Sequence, residues 1–209
     1  MSADPQAPRR PGRPKDEGLQ SRRTQEILDA ATAIFAERGY AATDVQLIAD
    51  RLGVGKGTIY RYFPSKEELF LAAVDLGMSR LSRQMDQIVA DVADPLDRIA
   101  TGLRTYLSYF EAHPEVVELL IQERAQFRDR KQNTYFQHHY ANVGPWREMF
   151  RELIREGKIR DIPVDRIIDV MADLVYGTMF TTYFSGRNKP LATQCDDILD
   201  VLFHGLLVG

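Results

Sequence analysis

The sequence predicts an all-α protein in which a small N-terminal helix-turn-helix unit precedes a larger helical domain, with about nine helices in total. Apolar residues recur at helical spacing through almost all of the chain after residue 20, which is the pattern of amphipathic helices. No run of alternating apolar and polar residues is long enough to indicate a β-sheet. With 209 residues, of which 44% are hydrophobic, the chain can form one large or two modest cores.

Residues 1–20 are rich in proline, glycine and charge and lack a periodic apolar pattern, so we expect a disordered basic arm. The stretch "RRPGRPK" at residues 9–15 contains Arg13 among basic residues and no acidic one. Two interpretations are open for it. It is either a solubilising tail or an arm that inserts Arg13 into an A·T-rich minor groove of DNA.

Three short helices are predicted within residues 21–70. The first has one apolar stripe and ends at Gly39, a favourable C-cap position. The second is predicted to begin with Thr43 as its N-cap, with Gln46 three residues later. The third spans about residues 56–63, because Pro64 prevents its continuation.

The larger domain is predicted to cover residues 71–209 and to contain six further helices. Ser65 and Glu68 form a capping box that opens the first of these. Pro95 and Pro114 each occupy a favourable first helical position of the next two. The last three are expected around Trp146, at about residues 164–184 and at about residues 193–207.

The segment "LGVGKGTIYRYFPSKEEL" at residues 52–69 has the proportions of the second half of a helix-turn-helix. Helical spacing turns Ile59 inward and leaves a polar, small and aromatic face outward. Hydroxyls, cations and a bare glycine suit the phosphates and base edges of DNA, and no acidic residue lies between Leu52 and Phe63. The residues expected to contact DNA are Thr43, Lys56, Gly57, Thr58, Tyr60, Arg61, Tyr62 and Lys66.

This region resembles the tetracycline-repressor (TetR) family of transcription regulators over about residues 21–70. Gly55 departs from the family pattern, in which serine is common, so a hydroxyl is absent at that N-cap. The positions that match the pattern are Thr43, Ile48, Ala49, Gly53, Val54, Gly57, Thr58, Ile59, Tyr60, Tyr62, Phe63, Ser65, Lys66, Glu67 and Leu69.

The resemblance implies that the larger domain binds a small-molecule effector and forms a homodimer through its last two helices. Two-fold symmetry would place two recognition helices about 34–36 Å apart on a near-palindromic operator in double-stranded DNA. Apolar residues cover more than one face of those helices. The residues expected at the dimer interface are Ile168, Met171, Val175, Ile198, Val201 and Leu202.

Aromatic residues cluster in the middle of the chain in greater number than a small helical core requires, which indicates a partly apolar effector pocket. Ordinary core packing is the alternative for each of them. The residues expected to line the pocket are Tyr106, Phe110, Phe127, Trp146, Phe150, Tyr176 and Phe180.

Composition and motifs argue against several other classes of protein. A single cysteine, Cys195, excludes an intramolecular disulfide and suits the cytoplasm. Neither an apolar stretch of ~18 residues nor a signal sequence is present, so we expect no membrane partner. No metalloprotease, zinc or serine-hydrolase motif occurs. We therefore expect that the protein is not an enzyme and binds neither a metal ion nor a cofactor.

The sequence and the family resemblance favour a repressor that leaves its operator when an effector binds. An activator or a co-repressor-dependent regulator of the same fold is an open alternative. A nonspecific DNA-associated protein is a further alternative, and it would show no preference for an operator over random duplex, whereas specific regulators differ by about 10³ or more.

Overall fold

The computed structural model describes residues 17–186 and 189–205, and within them the chain is all-α, as predicted. Ten helices occur in these residues, one more than expected. Their bounds are α1 (Glu17–Arg38), α2 (Val45–Arg51), α3 (Lys56–Tyr62), α4 (Lys66–Ala90), α5 (Pro95–Ala112), α6 (Pro114–Gln126), α7 (Thr134–Asn142), α8 (Gly144–Arg155), α9 (Val164–Ser185) and α10 (Leu191–His204).

Helix α7 is the one that the sequence did not predict. It begins where the Asn133 side chain accepts a hydrogen bond from the Phe136 N–H at 3.1 Å. Its nine residues include two histidines and only a short apolar run, so its pattern is too weak to indicate a helix. Asparagine at the N-cap was the available signal.

The first helix begins at Glu17, so the expectation of disorder is wrong for residues 17–20. Pro14 is the last proline before the helix, and the residues after it can all adopt helical geometry. The Thr24 hydroxyl donates to the Gln20 carbonyl at 2.9 Å within this added turn. Arg13 lies outside the described residues.

Helices α1 to α3, which we call the headpiece, pack around a filled apolar core. Ile27, Phe35, Ile48 and Ile59 are all fully buried there. Phe70 of α4 closes the core, with its ring in edge contact with Phe35 at 5.1 Å between centroids. Because burying one such side chain contributes about 1.5–3 kcal/mol, these few residues stabilise the relative positions of the three short helices.

The start of α2 differs from the sequence prediction by one residue. Asp44, not Thr43, is the N-cap, and its carboxylate accepts from the Gln46 N–H at 2.7 Å. The Thr43 hydroxyl instead donates to the Gly39 carbonyl at 2.7 Å and closes the turn after α1. Thr43 is only 2% exposed, so it belongs to the inside of that turn.

The helix ends predicted at Gly39, Ser65 and Pro95 agree with the structure, whereas the last helix, predicted at about residues 193–207, is Leu191–His204. Gly39 has a φ of 82°, a left-handed conformation that favours glycine. Ser65 accepts from the Glu68 N–H at 3.0 Å. Asp94 accepts from two backbone N–H groups of α5, with Pro95 at the first helical position.

The larger domain surrounds α5, which packs against α4, α6, α9 and α10. Helix α4 belongs to both regions, because its first turns close the headpiece and it also packs against α5, α6 and α7 of the larger domain. A second core in the larger domain includes Leu107, Leu153 and Cys195, all fully buried. Among the described residues, no helix combines the length and the apolar character that crossing a bilayer requires.

Candidate functional site

The outer face of α3 carries most of the residues expected to contact DNA. Ile59 is fully buried and fixes the opposite side of the helix as the outer one. Gly57, Tyr60 and Arg61 are exposed there. Nothing lies within 4 Å of the position that a Cβ of Gly57 would occupy, so this glycine leaves the surface open without being required by packing inside the chain. Lys56, Thr58 and Tyr62 are half-buried along the edges.

Lys56 is paired with a carboxylate that sequence analysis did not place near it. Its Nζ lies 2.6 Å from Oδ1 of Asp44, twelve residues earlier in the chain. The pKa of Asp44 is lowered, first by the Gln46 N–H and then by Lys56. The pKa of Lys56 is raised, chiefly by its hydrogen bond to Asp44. No acidic residue lies between Leu52 and Phe63 in the sequence, but the turn before α2 brings Asp44 to this surface.

Lys66 and Arg61 differ in the contacts that their charged groups make within the protein. The Lys66 ammonium donates to the Ala41 carbonyl at 3.2 Å and lies 4.6 Å from the centroid of the Tyr40 ring. Burial lowers the pKa of Lys66. The Arg61 guanidinium lies 5.6 Å from the Tyr62 ring, and no carboxylate of the described residues pairs with it. Of the two cations of α3, Lys56 is paired with Asp44, whereas the guanidinium N–H groups of Arg61 have no carboxylate partner among the described residues.

A cavity of about 180 Å³ lies in the larger domain between α4, α5, α7, α8 and α9. Of the aromatic residues expected in a pocket, Tyr106, Trp146 and Phe150 line it. Gly102 makes room for the indole, because a Cβ there would lie 2.5 Å from Cη2 of Trp146. The cavity therefore depends on a glycine and an aromatic residue that are far apart in sequence.

The other four aromatic residues that we expected in the pocket lie elsewhere. Phe127 packs against Tyr40 and Phe70 beside the headpiece, at 5.1 and 5.7 Å between centroids. Phe110 is buried in the larger domain and its ring contacts Tyr106 at 5.0 Å. Tyr176 and Phe180 contact each other at 4.6 Å on α9.

Three residues expected at the dimer interface instead line the cavity, namely Ile168, Met171 and Val175. Ile198 and Leu202 are partly buried against the core of the larger domain that includes Leu107 and Leu153. The large apolar side chains that are exposed on α9 and α10 are Val170, Leu174, Tyr183, Phe184, Val201 and Phe203. Only Val201 belongs to both sets. The helices are apolar on two sides, so their pattern alone could not distinguish the inner side from the outer one.

Two tyrosines that line the cavity, Tyr106 and Tyr135, carry hydroxyls that contact each other. The oxygens of Tyr106 and Tyr135 are 2.8 Å apart and share one hydrogen bond. Burial raises the pKa of Tyr106 well above its usual value and that of Tyr135 to about 12. Both therefore keep their protons at neutral pH. Tyr135 lies on α7, the helix that sequence analysis missed.

The remaining polar side chains of the cavity wall include two that are hydrogen-bonded to other residues of the protein, His138 and Asn142. His138 lies 2.8 Å from the Asp75 carboxylate. Asn142 donates to the Ser82 hydroxyl at 3.0 Å and to the His138 carbonyl at 2.8 Å. Burial, aided by Arg147, lowers the pKa of His139. His139 is therefore a neutral ring at pH 7.

Comparisons with known proteins agree with this architecture. The sequence profile described as "Bacterial regulatory proteins, tetR family" matches residues 27–73. HTH-type transcriptional repressor KstR2 of Mycobacterium tuberculosis is 31% identical over 164 residues, covering 76% of this chain and 80% of that protein. HTH-type transcriptional repressor KstR of the same species is 40% identical over 80 residues, covering 38% of this chain and 36% of that protein.

A solved structure with a similar fold is the transcriptional regulator FadR from Bacillus subtilis, determined in complex with stearoyl-CoA. It superposes with a TM-score of 0.73 at 21% identity, covering 88% of this chain and 99% of that one.

Proposed function

The chain belongs to the tetR family of bacterial regulatory proteins, and from that premise we propose a homodimeric repressor that leaves its operator when a small, partly apolar molecule occupies the cavity. The observation that carries this proposal is the outer face of α3. It combines an unpaired arginine, exposed Tyr60 and an open glycine on a helix held by one fully buried isoleucine.

The proposed DNA contacts follow from the chemistry of that face. Arg61 presents a planar fork that fits phosphate oxygens or the edge of a guanine. The hydroxyls of Thr58, Tyr60 and Tyr62 suit phosphate oxygens, and Gly57 allows a close approach of the backbone. Lys56 and Lys66 would add positive charge at the edges of this surface. Thr43 is left out of the proposed surface because of its burial.

Dimerisation is proposed through the outer face of α9 and α10. Val170, Leu174 and Phe184 lie on one side of α9 by helical geometry and are 48%, 39% and 68% exposed. On α10, Val201 and Phe203 are exposed on the two flanks of the inner side marked by Leu202. A second copy of this chain covering that face by two-fold symmetry would pair two recognition helices on a near-palindromic operator.

Effector binding is proposed for the cavity of the larger domain. Two relatives are named as transcriptional repressors, and the FadR structure of similar fold holds stearoyl-CoA, which supports a ligand-responsive repressor. A ligand weakens DNA binding only if it binds the two conformations with different affinity. A coupling of about 1–3 kcal/mol would change operator affinity about 5–150-fold.

Selection of bound duplexes from a random pool, followed by anisotropy titrations with the selected site, tests the proposal. We expect Arg61→Ala to weaken binding by about 1–3 kcal/mol. Arg155→Ala is the matched control, because Arg155 is exposed on α8 and its replacement removes the same positive charge away from the headpiece. Equal affinity of Arg61→Ala and the wild-type protein, or no preference for any selected site, would contradict the proposal. Transcription from a promoter that carries the site distinguishes repression from activation.

A further inference from the structure

We propose that the cavity selects an uncharged apolar molecule with one acceptor oxygen, such as a ketone or an ester, and rejects carboxylates. The acceptor would take a hydrogen bond from the Tyr106–Tyr135 hydroxyl pair. This inference deepens the proposed function, since it assumes that the effector occupies this cavity. The binding preference itself can be measured without DNA.

The walls favour an apolar body. Met78, Leu81, Ile99, Leu103 and Phe150 contribute carbon-rich surface from three helices. Burial of apolar surface against such walls favours binding. The volume of about 180 Å³ is close to that of an engineered apolar cavity of about 150 Å³ that binds benzene. A single ring with a short substituent therefore fits this volume.

The charges around the cavity oppose an anion. Neither lysine nor arginine is among the described residues that line it, and its one carboxylate is Asp86, on the exposed side of α4. Arg147 is near His139 but pairs with Asp165 at 2.9 Å. His138 faces Asp75, and His139 is neutral at pH 7. A carboxylate that entered would lose its hydration without gaining a free cation.

The hydroxyl pair supplies one unused donor. Two hydroxyls joined by one hydrogen bond use one of their two O–H hydrogens, so the hydroxyl that accepts still has its own hydrogen to donate. No described residue accepts a hydrogen bond from either tyrosine apart from the other tyrosine. Tyr135 is 4% exposed, and leaving a buried donor unpaired is unfavourable. A carbonyl or ester oxygen in the cavity would accept this hydrogen.

The most direct test compares cyclohexyl methyl ketone, cyclohexanecarboxylate and ethylcyclohexane, which share a ring and differ in the polar group. Trp146 is the only tryptophan of the chain and lines the cavity, so its fluorescence reports binding. Calorimetry gives an independent affinity. We expect the ketone to bind at least about tenfold more tightly than the carboxylate at pH 7, since a single uncompensated charge costs more than a neutral group.

The variant that removes the donor is the double substitution Tyr106→Phe and Tyr135→Phe. Either single substitution leaves one hydroxyl that is free to donate, so both must be changed. Replacing both partners of a hydrogen bond by apolar groups of the same shape is nearly neutral for folding. We expect the ketone to bind about 2–10-fold more weakly in the double variant, the range that one hydrogen bond supplies, and ethylcyclohexane to bind as before. Tyr140→Phe is the matched control, because Tyr140 is on α7 but 58% exposed.

The outcomes separate this inference from the proposed function. Carboxylate binding as tight as that of the ketone, or unchanged ketone binding in the double variant, would overturn the inference even if DNA release were observed. The expected ligand preference without any change in operator affinity would preserve the inference and contradict the proposed release mechanism. Loss of ethylcyclohexane binding in the double variant would mean a collapsed cavity, which is incompatible with the hydroxyl pair serving only as a donor and overturns the inference.

Discussion

The headpiece and the larger domain use their cores in opposite ways. In the headpiece the core is filled, and Ile48, Ile59 and Phe35 serve to hold a functional surface outside. In the larger domain the candidate site is inside, where the packing around Gly102 and Trp146 leaves a cavity. A filled core supports a rigid outer face, whereas a ligand site requires packing that is locally incomplete. The two regions should therefore differ in how they respond to the same loss of side-chain volume.

The largest expected effect tests this difference with two isoleucines. Ile59 is 0% exposed in the headpiece and Ile99 is 2% exposed on the cavity wall. Ile59→Ala should lower the free energy of unfolding by about 2–5 kcal/mol, because it creates a new void in close packing. Ile99→Ala should cost less, because a side chain beside an existing void has fewer neighbours to lose. Urea denaturation measures both.

The functional readouts of this pair should also separate. Ile59→Ala should abolish operator binding while Trp146 still reports ligand binding. Ile99→Ala should keep operator binding and accept a larger ligand. Equal destabilisation of the two variants would show that the cavity wall is as tightly packed as the headpiece, and the contrast between the two regions would be wrong.

An intermediate effect is expected at the junction of the two regions. Gln122 of α6 accepts from the Tyr40 N–H at 2.8 Å and donates to the Phe35 carbonyl at 2.9 Å. Gln122→Met removes both bonds with little change of shape and leaves the Tyr40 N–H without this partner. We expect a loss of about 1–3 kcal/mol in the free energy of unfolding and a weaker effect of bound ligand on DNA affinity. Glu118→Gln is the control, since it keeps a hydrogen-bonding group beside Gln122.

If Gln122→Met lowered stability but left the ligand effect on operator affinity unchanged, this contact would be structural only. Coupling between the headpiece and the cavity would then depend on the packing of α4 and α6 against α1 and not on these two hydrogen bonds. Measuring operator affinity with and without a saturating ligand in both variants decides between these results.

The smallest effect concerns the charge beside Lys56. Asp44→Asn retains an N-cap for α2, because asparagine caps helices as well as aspartate does, and it frees the Lys56 ammonium. We expect operator affinity to rise a few-fold and the magnitude of the salt slope to increase by up to about 0.9, the value for one additional phosphate contact. Affinity measured over a salt series checks this. An unchanged slope would mean that Lys56 does not reach a phosphate, and Asp50→Asn on α2 serves as the control for charge alone.

The headpiece could be predicted almost residue by residue because its signals are local. Caps such as Ser65, the break at Pro64 and the inward side of α3 at Ile59 are all set by neighbours within a few positions. The family resemblance carried by these residues is confirmed. The error at Thr43 and Asp44 was a shift of one residue between two adjacent side chains, both of which can cap a helix.

The cavity could be predicted only in part, because it depends on contacts between distant segments. Aromatic composition indicated a pocket, yet Phe127 fills the space beside the headpiece. Met171 was expected at the dimer interface and lies on the cavity wall. Helix α7, which brings Tyr135 to the site, has too weak a pattern to be found from sequence. When a helix has apolar residues on two faces, tertiary packing decides which face turns inward.

Helix α4 sets a condition on how this protein can diverge. It is continuous over 25 residues, with Phe70 and Val74 in the core that includes the headpiece and Leu81 and Met85 on the cavity wall. Adding or deleting one residue between these pairs would rotate one set by about 100° relative to the other. Residues at either end can be exchanged for new operators or new ligands, but the number of residues that separates them has to be preserved.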